Sequence, residues 1–262
     1  MTLSAEPKSV VPAVTNAAAI LRLLAAADQP AGVNAIAREL GLRPSSCFNI
    51  LKTLAAADLV AFDLTTKRYV IGLGTVDLAR RALAREDVIV AARPVMAALA
   101  TRLDAAIALW RVVGGEERVT LVALAEGEAV TRIHMAVGQR QPAAGGAVGR
   151  AVMARLNPQT PRLRAAFDSV RWHRTPDFAD YQQDLRLAQA RGYACDIDQI
   201  LQGLTTVATP IGDGAGVVRF CLSASMFSGR HDEAALGRIG EMLVTEGRDI
   251  AVTAYGAAAG LG

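Results

Sequence analysis

Arg43, Ser45, Ser46, Phe48, Asn49 and Lys52 crowd the start of a segment whose other members, Cys47, Ile50, Leu51 and Leu54, recur at helical spacing. A helix made only to fill a core has no use for that front end. Asn can bond adenine through two atoms, Ser can bond several bases, and Lys or Arg neutralises phosphate. The chemistry on offer is contact with a polyanion whose edges carry donors and acceptors. The alternative is the solvated face of a small helical domain.

Two further groups invite a chemical reading. "GGAVG" (145–149) lacks the GK[ST] ending of a nucleotide loop and does not fit GxGxxG. It reads either as a loop whose N–H groups open toward a small carboxylate at a helix start, or as a plain glycine-rich connection. Ser223 and Ser225 stand two apart in a strand-like run and so share one face, where they line a polar pocket or sit as half-buried strand serines. No GxSxG elbow surrounds them, and no nucleophile has a matching base. His134, His173 and His231 are far apart and show no metal-ligand spacing, so packing or surface roles are expected and no metal or cofactor is called for. Cys221 reads as a core residue.

The elements that must position these residues follow from pattern. A loose tail occupies about 1–12, and a helix is expected from Thr15 or Asn16, with Ile20, Leu23 and Leu24 on one face. "VNAIAREL" (33–40) buries Val33, Ile36, Ala37 and Leu40. Gly41 makes a turn, and Pro44 suits the first turn of the next helix. Two short strands around "LTTK" (59–72) then form a hairpin, with Lys67 and Arg68 at its tip. Helix, turn, helix and hairpin in that order outline a winged helix-turn-helix. "LGTVDLARRALARE" (73–86) reads as a helical linker. Beyond it come a helix near 88–103, strands at 105–114, 118–127 and 129–138, and a helix after the glycine loop. A helix at 177–192, strands at 204–212 and 217–226, and a final helix from His231 complete the pattern. This second part is an α+β domain with an antiparallel sheet.

The totals agree with two domains. The chain has 262 residues, 52% hydrophobic and 20% charged, a globular composition. Residues 1–85 hold 10 Lys and Arg against 6 Asp and Glu, whereas 86–262 hold 18 against 19. The basic excess lies where a phosphate partner is expected. Three cysteines without CxxC spacing, no apolar signal core and no uncharged run of membrane length lead to the expectation of a cytoplasmic protein.

On these residues the chain resembles a known family. "LRLLAAADQPAGVNAIARELGLRPSSCFNILKTLAAADLVAFDLTTKRYVIGLG" (21–74) is similar to the DNA-binding domain of the IclR family of bacterial transcription regulators. "QPAAGGAVGRAVMA" (141–154), "RGYACDIDQILQGLTTVATPI" (191–211) and "CLSASM" (221–226) resemble its effector-binding domain, a GAF-like α+β fold. The resemblance implies a winged domain over 13–72, a linker helix over 73–87 and an effector domain over 88–262. It also implies a homodimer or a dimer of dimers on palindromic operators, controlled by a small organic acid, aromatic acids included. By the same resemblance, amides of Gly146, Ala147 and Val148 would hold a carboxylate, and Asp196, Thr206, Ser223 and Ser225 would complete the pocket's polar side. Ser45, Ser46 and Asn49 would read bases beside Phe48, and Arg43, Lys52, Lys67 and Arg68 would hold phosphates. The chain departs from the family's habits at Ala144 and Gly146, where His and Thr or Ser are frequent, and at Thr206, where Cys is. It departs again at Phe48 and Asn49, where His or Tyr and Arg are common. A wider pocket mouth and less reliance on guanine are the expected consequences. The competing expectations are an enzyme acting on a small acid with the winged part as a dimerisation appendage, and a protein-interaction module.

Overall fold

Pro12, rather than Thr15 or Asn16, opens the first helix, α1 (Pro12–Ala26), with Val11 extended at the cap position. The ring of Pro12 presets the φ of a first turn, which overrides the better capping chemistry of Thr15. The computed structural model describes residues 11–27, 29–84, 87–112, 118–127, 133–213 and 215–256, the side chains of 80–84 excepted. The tail expected over 1–12 therefore lies outside the described residues up to 10, and its last two residues belong to α1 and its cap.

Next come α2 (Val33–Glu39) and α3 (Pro44–Ala56), joined by a turn in which Gly41 adopts φ +65° and the Leu42 amide donates to the Ala37 carbonyl at 2.8 Å. The apolar spacing read from the sequence is the spacing that packs: Ile20, Leu24, Ile36, Ala37, Cys47, Leu51 and Leu54 form one core with Val60 and Tyr69. The hairpin is β1 (Val60–Asp63) against β2 (Arg68–Ile71), antiparallel, with Asp63 opposite Arg68. Asp63 shapes its tip by accepting from the Thr66 hydroxyl at 2.7 Å and the Thr65 amide at 2.8 Å. Ala31 pairs with Tyr69 and fastens the hairpin to the chain between α1 and α2. Then α4 (Gly74–Ala84) closes this compact unit, which ends at Arg85, and the second unit begins at Glu86.

The second unit opens with α5 (Asp87–Leu103), β3 (Ala106–Val112), β4 (Arg118–Ala125) and the short β5 (Arg140–Pro142). It continues with α6 (Gly146–Leu156), α7 (Thr160–Asp168), α8 (Phe178–Arg191) and β6 (Ala194–Ile197). Last come β7 (Leu204–Gly212), β8 (Val218–Phe227) and α9 (Glu233–Tyr255). The six strands form one antiparallel sheet in the order β5-β4-β3-β8-β7-β6.

One expectation needs correction. Of the strand expected over 129–138, residues 129–132 lie outside the described residues, and 133–138 form no strand. Gly138 turns at φ +93°, and on its outer edge β4 pairs with Arg140–Pro142, while Leu121 exchanges backbone hydrogen bonds with Gly138 and Gln139. The β-branched pattern before Gly138 signalled a strand, but the edge pairing is made after the turn. Neither α7 nor β6 was anticipated.

Alternation along β7 sorts the two faces of the sheet. Thr209 and Ile211 meet α9 at Gly247, while Ala208 joins a core built from α6, α7 and α8. Thus α5 and α9 cover one face, and α6 to α8 lie on the other, the face that Thr206, Ser223 and Ser225 share.

Candidate functional site

On α3, Arg43, Ser45, Ser46, Phe48, Asn49 and Lys52 are all exposed, while Cys47, Leu51 and Leu54 are buried. Successive residues turn by about 100°, so Ser45, Phe48, Asn49 and Lys52 fall on one outward face. No side chain caps the helix start, so the amides of its first turn point outward unpaired by a cap. Lys67 and Arg68 are exposed at the hairpin tip. Lys67 takes φ +54°, and the Arg68 guanidinium donates to the Pro30 carbonyl at 3.3 Å, which fixes its direction. The unit thus offers outward polar and cationic groups over a rigid apolar core.

In the second unit, Gly146, Ala147, Val148, Asp196, Thr206, Ser223 and Ser225 line one cavity of about 120 Å³ that is partly open to solvent. Register explains the hydroxyls. Thr206 lies opposite Ser225 and Ala208 opposite Ser223, so all three hydroxyl-bearing residues share a face. The Thr206 and Ser225 hydroxyls are 3.0 Å apart, and Trp110 donates from Nε1 to the Ser223 oxygen at 2.9 Å. Ser223 therefore keeps its own proton for a guest.

The opposite wall is the start of α6. Its first amides, those of Gly146, Ala147 and Val148, meet no carbonyl acceptor among the described residues. A helix start with free amides is the kind of end that suits an anion. Two glycines make the approach possible. Gly146 adopts φ +62°, and a Cβ there would meet Ile200 Cγ1 at 3.0 Å. A Cβ on Gly149 would fall 2.2 Å from the Ala144 carbonyl carbon, so only glycine lets the preceding loop fold onto the first turn. Trp110, Met135, Ile200 and Leu201 supply apolar wall, and no Lys or Arg lines the cavity among the described residues.

Behind that wall lies a cation that sequence reasoning missed. Arg150, only 1% exposed, donates to Asp184 at 3.0 Å, to Asp196 at 3.3 Å and to the Gln199 side-chain oxygen. Its guanidinium also lies over the Tyr181 ring at 5.1 Å and the Trp172 ring at 5.5 Å. Burial pushes the Asp196 carboxyl above its ordinary range, and the Arg150 charge and the Ile200 amide oppose that rise without cancelling it. Burial likewise raises the Tyr181 hydroxyl, which stays protonated and donates to the Ala144 carbonyl at 2.9 Å. The signal for Arg150 was present as one cation inside the apolar run "AVGRAVMA". Trp110 gave no signal, because its role depends on the pairing of β3 with β8.

His134 is exposed and also lines the cavity, and His173 contributes a backbone amide to the Gln199 carbonyl at 2.8 Å. Among the described residues no group of three His, Cys, Asp or Glu is placed to hold a metal ion. No described helix is long and apolar enough to cross a membrane.

Two family models match this chain. Residues 13–64 match the family model described as the IclR helix-turn-helix domain, and residues 80–252 match that of the bacterial transcriptional regulator IclR C-terminal domain. The HTH-type transcriptional repressor AllR of Escherichia coli K12 is 29% identical over 241 residues, covering 91% of this chain and 88% of the repressor. The HTH-type transcriptional regulator BhcR of Paracoccus denitrificans is 26% identical over 253 residues, covering 95% and 89%. Among solved structures, an IclR regulator from Alicyclobacillus acidocaldarius superposes with a TM-score of 0.81 at 24% identity over 94% of this chain and 100% of its own. An IclR homologue from Microbacterium hydrocarbonoxydans, solved with 4-hydroxybenzoate, gives 0.75 at 18% identity over 92% and 98%.

Proposed function

This chain belongs to the IclR family of bacterial transcription regulators, and we propose that within it the outward face of α3 reads the operator while the cavity beside α6 senses a small organic acid. It is a DNA-binding regulator with a helix-turn-helix domain and an effector-binding domain, and its matched relatives are named regulators rather than enzymes. Ser45, Ser46 and Asn49 read base edges, and Arg43, Lys52, Lys67 and Arg68 hold phosphates. Residues 13–72 form the DNA-binding part, 73–87 the connection and 88–262 the effector part. The protein acts in the cytoplasm as a homodimer, or a dimer of dimers, on palindromic sites.

The observation that carries the effector reading is the convergence of three helix amides without a carbonyl acceptor and three hydroxyl-bearing side chains on one cavity that, among the described residues, no Lys or Arg lines. Such a site takes a carboxylate by main-chain donors and leaves the apolar wall for the rest of the molecule. Aromatic acids are included in the class because Trp110 and Met135 can flank a ring, and because the Microbacterium homologue was solved with 4-hydroxybenzoate. The bound acid would regulate by favouring one arrangement of the DNA-binding domains over another.

The test is equilibrium binding to duplexes from upstream of the protein's own gene and its neighbours, over a salt series, with wild type and Asn49→Ala side by side. Salt-sensitive, site-selective binding that relaxes at particular base positions in the variant is the expected result. Non-selective binding that is identical in the two proteins would contradict the assignment of α3.

A further inference from the structure

Phe48 is 48% exposed on a helix whose neighbouring residues Cys47 and Leu51 are buried. It belongs to no part of the apolar core of its unit, and no ring contact engages it among the described residues. Around the axis it is flanked by Ser45 three residues before, Lys52 four residues after and Asn49 beside it. Whatever that face touches, the Phe48 ring touches. An aromatic ring can satisfy neither a phosphate nor the donors and acceptors of a base edge. The one apolar group that the major groove displays is the C5-methyl of thymine.

We infer that Phe48 packs against a thymine methyl and so fixes a thymine in each half-site of the operator. This rests on the reading of α3 as the operator-facing helix. With Asn49 suited to adenine on the same face, the two residues together favour an A·T-containing step. The ring gains by leaving water only when that methyl is present, so it discriminates without making a hydrogen bond.

The experiment begins with duplexes enriched by the full-length protein from a pool of random sequence. Each thymine of the enriched site is then replaced by uracil, which removes only the methyl. Wild type should weaken about fourfold at one position per half-site, the effect of one methyl-sized group returned to water. Phe48→Ala should bind the thymine and uracil duplexes equally, with an unchanged melting temperature because the ring is not part of the core. Phe48→Leu should keep part of the preference. Lys52→Ala serves as the independent arm and should weaken thymine and uracil duplexes alike. Indifference of wild type to uracil at every position, with Lys52→Ala still weakened, would overturn the inference and leave α3 on the DNA. Loss of self-association rather than of methyl preference in Phe48→Ala would overturn it in favour of a contact between copies. If neither Phe48→Ala nor Lys52→Ala alters DNA binding, or if no sequence is enriched, the reading of α3 fails and takes this inference with it.

Discussion

Two helices of this chain, α3 and α6, begin alike and present opposite surfaces. Each starts after a glycine- or proline-bearing turn, and neither has a side-chain cap, unlike α9, where Asp232 accepts from the Ala235 amide at 2.7 Å. The first turn of α3 is exposed, so its chemistry is carried by long and polar side chains. The first turn of α6 is buried in alanine, valine and glycine, so its chemistry is carried by the backbone. Side chains suit a partner whose sequence must be read, and fixed amides suit a small anion that must be enclosed.

Charge makes the contrast sharpest. Arg150→Met removes a buried cation and strands Asp196, so a loss of about 3–5 kcal/mol of stability is expected in chemical denaturation. Arg43→Met, on the exposed front of α3, should stay within about 0.5 kcal/mol of wild type in the same measurement. Equal losses would break the comparison. On DNA the order reverses: Lys52→Ala should reduce the slope of log affinity against log salt by about one phosphate contact. Asp196→Asn should leave that slope alone.

A glycine tests the backbone half. Gly146→Ala places a Cβ on a residue at φ +62° against Ile200, at a strain of about 1–2 kcal/mol. It should weaken carboxylate binding in calorimetry while leaving DNA affinity in the absence of ligand unchanged. Carboxylate affinity equal to wild type would remove the α6 amides from the site.

The smallest expected effect is a pH dependence. Asp196 has a folded-state value above its ordinary one, so between those two values the folded protein binds more protons than the unfolded chain. Its contribution to stability is therefore greatest at low pH and declines as pH rises through the raised value. Comparing wild type with Asp196→Asn by thermal melting across that window should show the difference moving against wild type as pH rises. A difference independent of pH would remove burial as the dominant influence on this carboxyl.

Much of this was legible in the sequence, for a physical reason. Cys47, Leu51 and Leu54 on α3 and the glycines at 145, 146 and 149 are local signals, set by helical period and by backbone sterics. The hydroxyl face of Ser223 and Ser225 followed from strand alternation alone. What was not legible depended on partners distant in sequence. The edge strand is made by Arg140–Pro142 because β4 accepts those residues, and nothing local marks them. Arg150 finds Asp184, Asp196 and Gln199 only once α8 and β6 are in place. The start of α1 moved to Pro12 because a preset φ prevailed over a capping side chain.

We propose that an acid bound in the cavity beside α6 alters the affinity of the protein for DNA. The direct measurement is the Kd of the full-length protein for an enriched duplex, by fluorescence anisotropy, with and without a carboxylate that calorimetry shows to saturate the protein. Benzoate, 4-hydroxybenzoate and short aliphatic acids are the probes. A shift of about fivefold or more for at least one of them, lost in Gly146→Ala, is the predicted result. A carboxylate that saturates the cavity and leaves the Kd unchanged would contradict the account.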